Sequence, residues 1–161
     1  MGDASRSDLD FLRHTLATLA YRGGKVLRDS PESFGAFVAG EGGRTAGQIL
    51  AHVGDLMDWG LSMAEGRQRW HDSKPLAWKD EIGRFYFSLA AFDDYLASGK
   101  PVMAPLEKLF QGPVADALTH IGQLAMLRRM AGHKMTGENY YVAEMVVGRV
   151  GREQAAPKRE F

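Results

Sequence analysis

The sequence predicts an all-α protein, a four-helix bundle, and three observations carry that prediction. Apolar residues recur at three- and four-residue steps in four separate stretches. Helix-start and helix-stop signals separate those stretches. No convincing succession of strands interrupts them, and there is neither an internal repeat nor a low-complexity segment. The 161 residues fit one domain, 1–161, with a helical core over about 5–148 and a polar C-terminal tail over 149–161.

The first helix is expected to start after Ser5 or Ser7, either of which suits an N-cap. Leu9, Leu12, Leu16 and Leu19 mark its buried side. Gly23-Gly24 weakens it and Ser30-Pro31 ends it. Glu32 to Arg44 reads as a loop anchored by Phe34, Phe37 and Val38. The second helix opens with Thr45-x-x-Gln48, a capping-box pattern, and carries Ile49, His52, Leu56, Trp59 and Met63 on one stripe up to the stop signal at Gly66. A polar connection follows, with Arg67, Arg69, Trp70 and His71. The third helix has the cleanest period, Ile82, Phe85, Leu89, Phe92 and Leu96, with Asp93 and Asp94 off that line. Phe85, Tyr86, Phe87 and Phe92 do not all fit one inward face, so some of them either meet a partner subunit or cover the long loop after Ser30.

After a short helical turn near Pro105 to Gln111, Gly112-Pro113 places a proline at the expected first position of the fourth helix. That helix runs to about Met130, with Arg128 and Arg129 suited to its C-terminal dipole and Gly132 to its C′ position. Ala117, His120, Leu124 and Leu127 lie on one face and Leu118, Ile121 and Ala125 on the next, which predicts the most buried helix of the four. The apolar run Val142 to Val147 reads as helical or extended.

Composition narrows the function classes. There are 0 Cys, which excludes disulfides, thiolate nucleophiles and Cys-ligated metal sites. Lys+Arg is 20 and Asp+Glu is 20, so net charge is +0 and nothing points to nucleic acid or an anionic membrane as partner. The start of the chain has no apolar signal region and no stretch approaches the ~20 apolar residues of a membrane helix. The expectation is a cytoplasmic protein without nucleic-acid or membrane partners. Glycines inside the expected helices suggest close packing or local weakness.

Two histidines interrupt apolar stripes. Asp116 and His120 stand at i and i+4 and share a helix face, and His52 meets them if the second and fourth helices are neighbours. Two imidazoles and one carboxylate leave coordination positions open, the arrangement of catalytic zinc and non-haem iron sites. Mixed N/O donors suit zinc, nickel, iron or cobalt better than magnesium or calcium. The competing reading makes each histidine a hydrogen-bonded core residue and Asp116 a helix-start carboxylate. Asp55, at i+3 from His52, is a rival ligand. Glu138 and Tyr140 lie in the segment after the fourth helix, which is able to fold over the site but which the sequence does not place, and Asp55, Trp59, Tyr140 and Tyr141 are the candidate lining of a small-molecule pocket. His14, His71 and His133 read as surface residues.

The run Ala117-Leu-Thr-His-Ile-Gly-Gln-Leu-Ala-Met-Leu-Arg-Arg-Met-Ala-Gly132 resembles the last long helix of the DinB/YfiT-like family, in which a histidine, one residue and Gly-Gln precede an aliphatic stretch with Leu-Arg. Ile49-Leu-Ala-His52-Val-Gly-Asp-Leu is similar to the second helix of that family. The resemblance spans most of residues 5–148. It implies a four-helix bundle with up-down-down-up topology, commonly a homodimer, and a three-histidine metal set. His52 and His120 match two of those histidines, and Asp116 stands where the third would be. It further implies a metal-dependent enzyme of thiol S-transferase or hydrolase type, with zinc or nickel as the expected metal. Relatives of that kind use bacillithiol, mycothiol or glutathione, and one is a maleylpyruvate isomerase. With no Cys in the chain, any thiol has to come from a low-molecular-weight cofactor. The alternative is a non-catalytic, stress-related or ligand-binding bundle, with structural metal or none.

Overall fold

The computed structural model describes residues 6–161 and is helical. Its elements are α1 (Arg6–Leu27), a 3-10 turn (Glu32–Ala36), α2 (Ala46–Ala64), α3 (Trp78–Ala97), α4 (Leu106–Leu109), a π turn (Phe110–Val114), α5 (Ala115–Met130) and a second 3-10 turn (Tyr140–Val142). Among the described residues no strand forms beyond one isolated bridge, Glu138 to Glu160. Helix α2 lies against α3 and α5, and α1 closes the bundle on α3 and α5. Leu16 and Leu19 of α1, Leu50 and Met57 of α2, Phe85, Leu89 and Phe92 of α3, and Leu109 and Leu124 meet in the centre with no exposed surface. No helix among the described residues is long and apolar enough to cross a membrane.

The expected start signal of α2 is in place. The Gln48 N–H donates to Thr45 Oγ1 at 3.1 Å, and the Thr45 N–H donates to Gln48 Oε1 at 2.8 Å. Ser5, one of the two expected caps of α1, lies outside the described residues, and Ser7 lies inside the helix. Helix α3 has no cap of its own at Ala77. Glu32 supplies one from a distance, accepting from the Trp78 and Lys79 N–H groups at 2.7 and 3.2 Å.

Several expectations change. Helix α2, with 12 of 19 residues buried, is more enclosed than α5, with 5 of 16. The reason is that α5 packs on α1 and α2 from one side, leaving Met126 and Met130 more than half exposed. Pro113 does not start a helix. It sits within a π turn that joins α4 to α5. That wider turn opens the ladder where Pro113 has no N–H and where its ring would press on the carbonyl four residues back.

Arg128 does not serve its own helix end. Its Nη1 donates to the carbonyls of Lys25, Val26 and Arg28, and so caps the C-terminus of α1. Asp93 faces inward and accepts from Arg13 Nε and Nη2 at 2.9 and 3.0 Å, a bidentate pair between α3 and α1. The aromatics of α3 divide between core and surface. Phe85 and Phe92 are fully buried in the core, Tyr86 is half-buried beneath the Arg152 guanidinium, and Phe87 alone stands 75 % exposed.

The run Val142 to Val147 forms neither helix nor strand beyond the turn that ends at Val142. Residues 149–161 are polar but not free. Val150 is buried, the Asn139 N–H donates to the Arg159 carbonyl and the Phe161 N–H to the Gly137 carbonyl. Lys25 of α1 reaches Glu138 at 2.7 Å and Glu160 at 3.0 Å.

Candidate metal centre

The contact between α2 and α5 brings His52, Asp116 and His120 together. His52 Nε2 lies 3.7 Å from Asp116 Oδ2, and His120 Nε2 lies 3.4 Å from Asp116 Oδ1. The two imidazole rings are 4.8 Å apart, centre to centre, and nearly perpendicular. The donor atoms of all three residues lie within 4.8 Å of one another. These separations are long for direct hydrogen bonds, which fall at about 2.7–3.2 Å. Small divalent ions hold N and O donors at about 2.0–2.2 Å, which sets neighbouring donors about 3.4 Å apart around a tetrahedron. The spacing of the trio therefore fits such an ion. Both rings are largely covered, whereas the Asp116 carboxylate is 47 % exposed and leaves a side open to solvent.

The surroundings of each ring bear on ligation. Burial, then His120 and Arg44, push the His52 imidazolium below the ordinary histidine range, against the opposing pull of Asp116 and Asp55. His52 is accordingly neutral at neutral pH and keeps a lone pair. His120 Nδ1 lies 2.9 Å from Gln123 Oε1. An amide oxygen only accepts, so Nδ1 carries a proton, and Nε2 is the nitrogen that faces Asp116. Gln123, one helical turn beyond His120, was present in the His-x-Gly-Gln pattern but had no assigned role. An acceptor at that spacing is placed to orient the ring.

Asp55 is not a member of this trio. Its carboxylate is 2 % exposed and accepts from Arg84 Nη2 and from the Ser73 N–H at 2.8 Å. His71 sits between two carboxylates, with Nδ1 3.1 Å from Asp55 and Nε2 3.2 Å from Asp58. Arg84 also reaches Asp58 at 3.8 Å and Glu81 at 3.2 Å. Asp55, Asp58 and His71 have donor spacing compatible with a second cation. However, the Arg84 guanidinium already provides the positive charge there, and the two nitrogens of one ring face different carboxylates. The group is an ion-pair network that fastens the connection after α2. His71 is thus a half-buried clamp and not a free surface residue. His14 is exposed as expected, and the half-buried His133 ring packs edge-on against Phe34.

The expected pocket lining separates into two places. Trp59 stands near the trio, its ring 5.8 Å from that of Trp70, and the Trp70 ring is 5.6 Å from His52. Tyr140 and Glu138 do not fold over the site. Tyr140 packs edge-on against Tyr21 with the Arg22 guanidinium 4.3 Å above its ring, and Glu138 accepts from the Tyr21 hydroxyl and pairs with Lys25. Tyr141 is 96 % exposed and lines nothing. Trp70 lies in a polar stretch with no helical period, so nothing in the sequence marks it. A surface cavity of about 320 Å³ opens beside that stretch, with Asp58, Leu61, Ser62, Arg69 and His71 among its walls. It includes none of the trio, so it is not the space in front of the proposed ligands. Comparison of the chain with protein-family models, with curated proteins and with solved structures gives no match.

Proposed function

We propose that this chain is a divalent-metal-dependent enzyme of the DinB/YfiT-like kind, with His52, Asp116 and His120 as metal ligands and zinc or nickel as the ion. The observation that supports this reading best is the convergence of two imidazole nitrogens and a carboxylate, from two helices, at the separations one small cation spans. In the same proposal the helices run up-down-down-up, the protein is a cytoplasmic homodimer, and its substrate is a small molecule.

An ion held there supplies Lewis acidity, which makes a water or a thiol nucleophilic near neutral pH. The chain's own residues prepare that chemistry. His52, neutral through burial, offers a lone pair, and His120, with Nδ1 bonded to Gln123, faces Asp116 through Nε2. Asp116 adds one negative charge and keeps one side open for the reactant. The chain has 0 Cys, so in S-transfer the sulfur belongs to a low-molecular-weight thiol.

A second reading has its own support. Asp116 lies between the two rings, so it also suits an ion pair with a protonated imidazole and no metal, in a non-catalytic, stress-related or ligand-binding bundle. Metal analysis of protein prepared without a His-tag separates the two. The enzyme reading expects close to one divalent ion per chain, lost in His52→Ala and in His120→Ala. Wild-type protein that takes up neither zinc nor nickel removes it. Conjugation of low-molecular-weight thiols to a panel of electrophiles, and hydrolysis of small esters and amides, with and without chelator, then distinguishes catalysis from structural metal.

A further inference from the structure

We infer that Trp70 and Trp59 form an aromatic subsite beside the metal trio, which selects a substrate bearing a planar apolar group; this rests on the reading of His52, Asp116 and His120 as metal ligands. Trp70 lies in the polar connection after α2, and that connection is fastened on both sides of it. The Arg69 N–H donates to Ser62 Oγ at 3.0 Å. His71 is held between Asp55 and Asp58, the Ser73 N–H donates to Asp55, and the Leu76 N–H donates to Glu81 at 2.9 Å. Arg84 binds Asp55 and Glu81 and so ties these anchors to α3.

This stitching fixes where one indole stands. The Trp70 ring packs edge-on against His52 and against Trp59, yet 42 % of the residue remains exposed. A tryptophan that only filled the core would be covered, since Trp78, packed on Phe34, is 3 % exposed. Trp59 extends the surface toward the π turn, where a Cβ added to Gly112 would lie 3.6 Å from its ring. The turn ends one residue before α5, which carries Asp116 and His120. The aromatic surface therefore flanks the trio from His52 on α2 to the start of α5. A planar apolar group on that surface gains offset or edge contacts while a polar end of the same molecule reaches the ligands. The mixed charge of the neighbouring cavity makes no comparable demand on a substrate.

The test uses two probes with one metal-binding group, acetohydroxamate and benzohydroxamate, on zinc-loaded protein whose metal content is measured in the same samples. The expected result is a preference for benzohydroxamate that falls about fivefold in Trp70→Ala, the scale of one aromatic contact, and is largely kept in Trp70→Phe. Trp70→Leu preserves bulk without a ring face; it is expected to show the same fall and takes the place of Trp70→Ala where the smaller side chain compromises folding. Retained zinc with an unchanged preference in both Trp70→Ala and Trp70→Leu overturns the subsite alone. Wild-type protein that holds no zinc overturns the metal reading and the subsite with it.

Discussion

Replacing Gln123 by alanine tests the proposed metal centre without disturbing the core. Gln123 is exposed on α5 and its one side-chain bond is to His120 Nδ1 at 2.9 Å. Its loss removes no buried side chain. What changes is the His120 ring, which becomes free to rotate and to place its proton on Nε2. Partners of this kind contribute about 10- to 100-fold in metal affinity. Because Gln123 is open to solvent, water replaces part of the lost bond, so the lower end applies. Zinc affinity is expected to fall about tenfold, or about 1.4 kcal/mol. Competition against a chromogenic chelator near neutral pH measures it. Gln123→Glu keeps an acceptor and adds charge, so its affinity is expected to equal or exceed that of wild type. The reasoning is refuted if Gln123→Ala matches wild type while zinc is bound, or if Gln123→Glu is as weak as Gln123→Ala.

Four further outcomes concern stability, each read from urea denaturation. Arg84→Met leaves the buried Asp55 charge without its guanidinium and is expected to cost about 3 kcal/mol, with part recovered in Arg84→Met/Asp55→Asn; a loss below about 1 kcal/mol contradicts the network. Gly60→Ala places a Cβ 2.7 Å from Phe92 Cε1 and 3.2 Å from Pro113 Cγ, so overpacking of about 1–3 kcal/mol outweighs a helix-propensity gain of about 1 kcal/mol. Gly122→Ala, with nothing within 4 Å, is expected to stabilise instead. Burial, then the bond to Glu138, raises the Tyr21 hydroxyl above the ordinary tyrosine value of about 10. The unfolded chain then loses this proton before the folded one. The Tyr21 contribution is complete below the ordinary value and declines as pH rises past it, and Tyr21→Phe removes that part of the alkaline slope.

The helices were legible because their signals are local. The reciprocal Thr45–Gln48 bonds, the period of α3 and the positive φ at Gly66 and Gly132 each follow from residues a turn apart. His52, Asp116 and His120 were legible for a related reason, since an i, i+4 pair and a histidine on an inward stripe specify directions before any packing is known. The pairings that organise the rest join distant parts of the chain. Asp55 finds Arg84, Arg13 finds Asp93, and Arg128 finds the end of α1. Charge and spacing along the sequence do not rank those partners. Trp70 was missed because its position comes from the polar anchors around it, and Tyr140 was misplaced because the segment from Thr136 onward turns back onto α1.

The π turn at Phe110–Val114 adds to this a matter of phase. Leu109 and Val114 are both fully buried although five residues apart, a spacing that a regular helix at about 100° per residue would turn to different sides. The extra residue acts as a register shift between α4 and α5. Removing one residue from this stretch would restore a continuous α-helical ladder, and Leu109 could then stay inward only by rotating the face that carries Asp116 and His120 away from His52. The bulge therefore sets the clocking of the face that carries Asp116 and His120, and a chain one residue shorter here would keep a bundle while losing its trio.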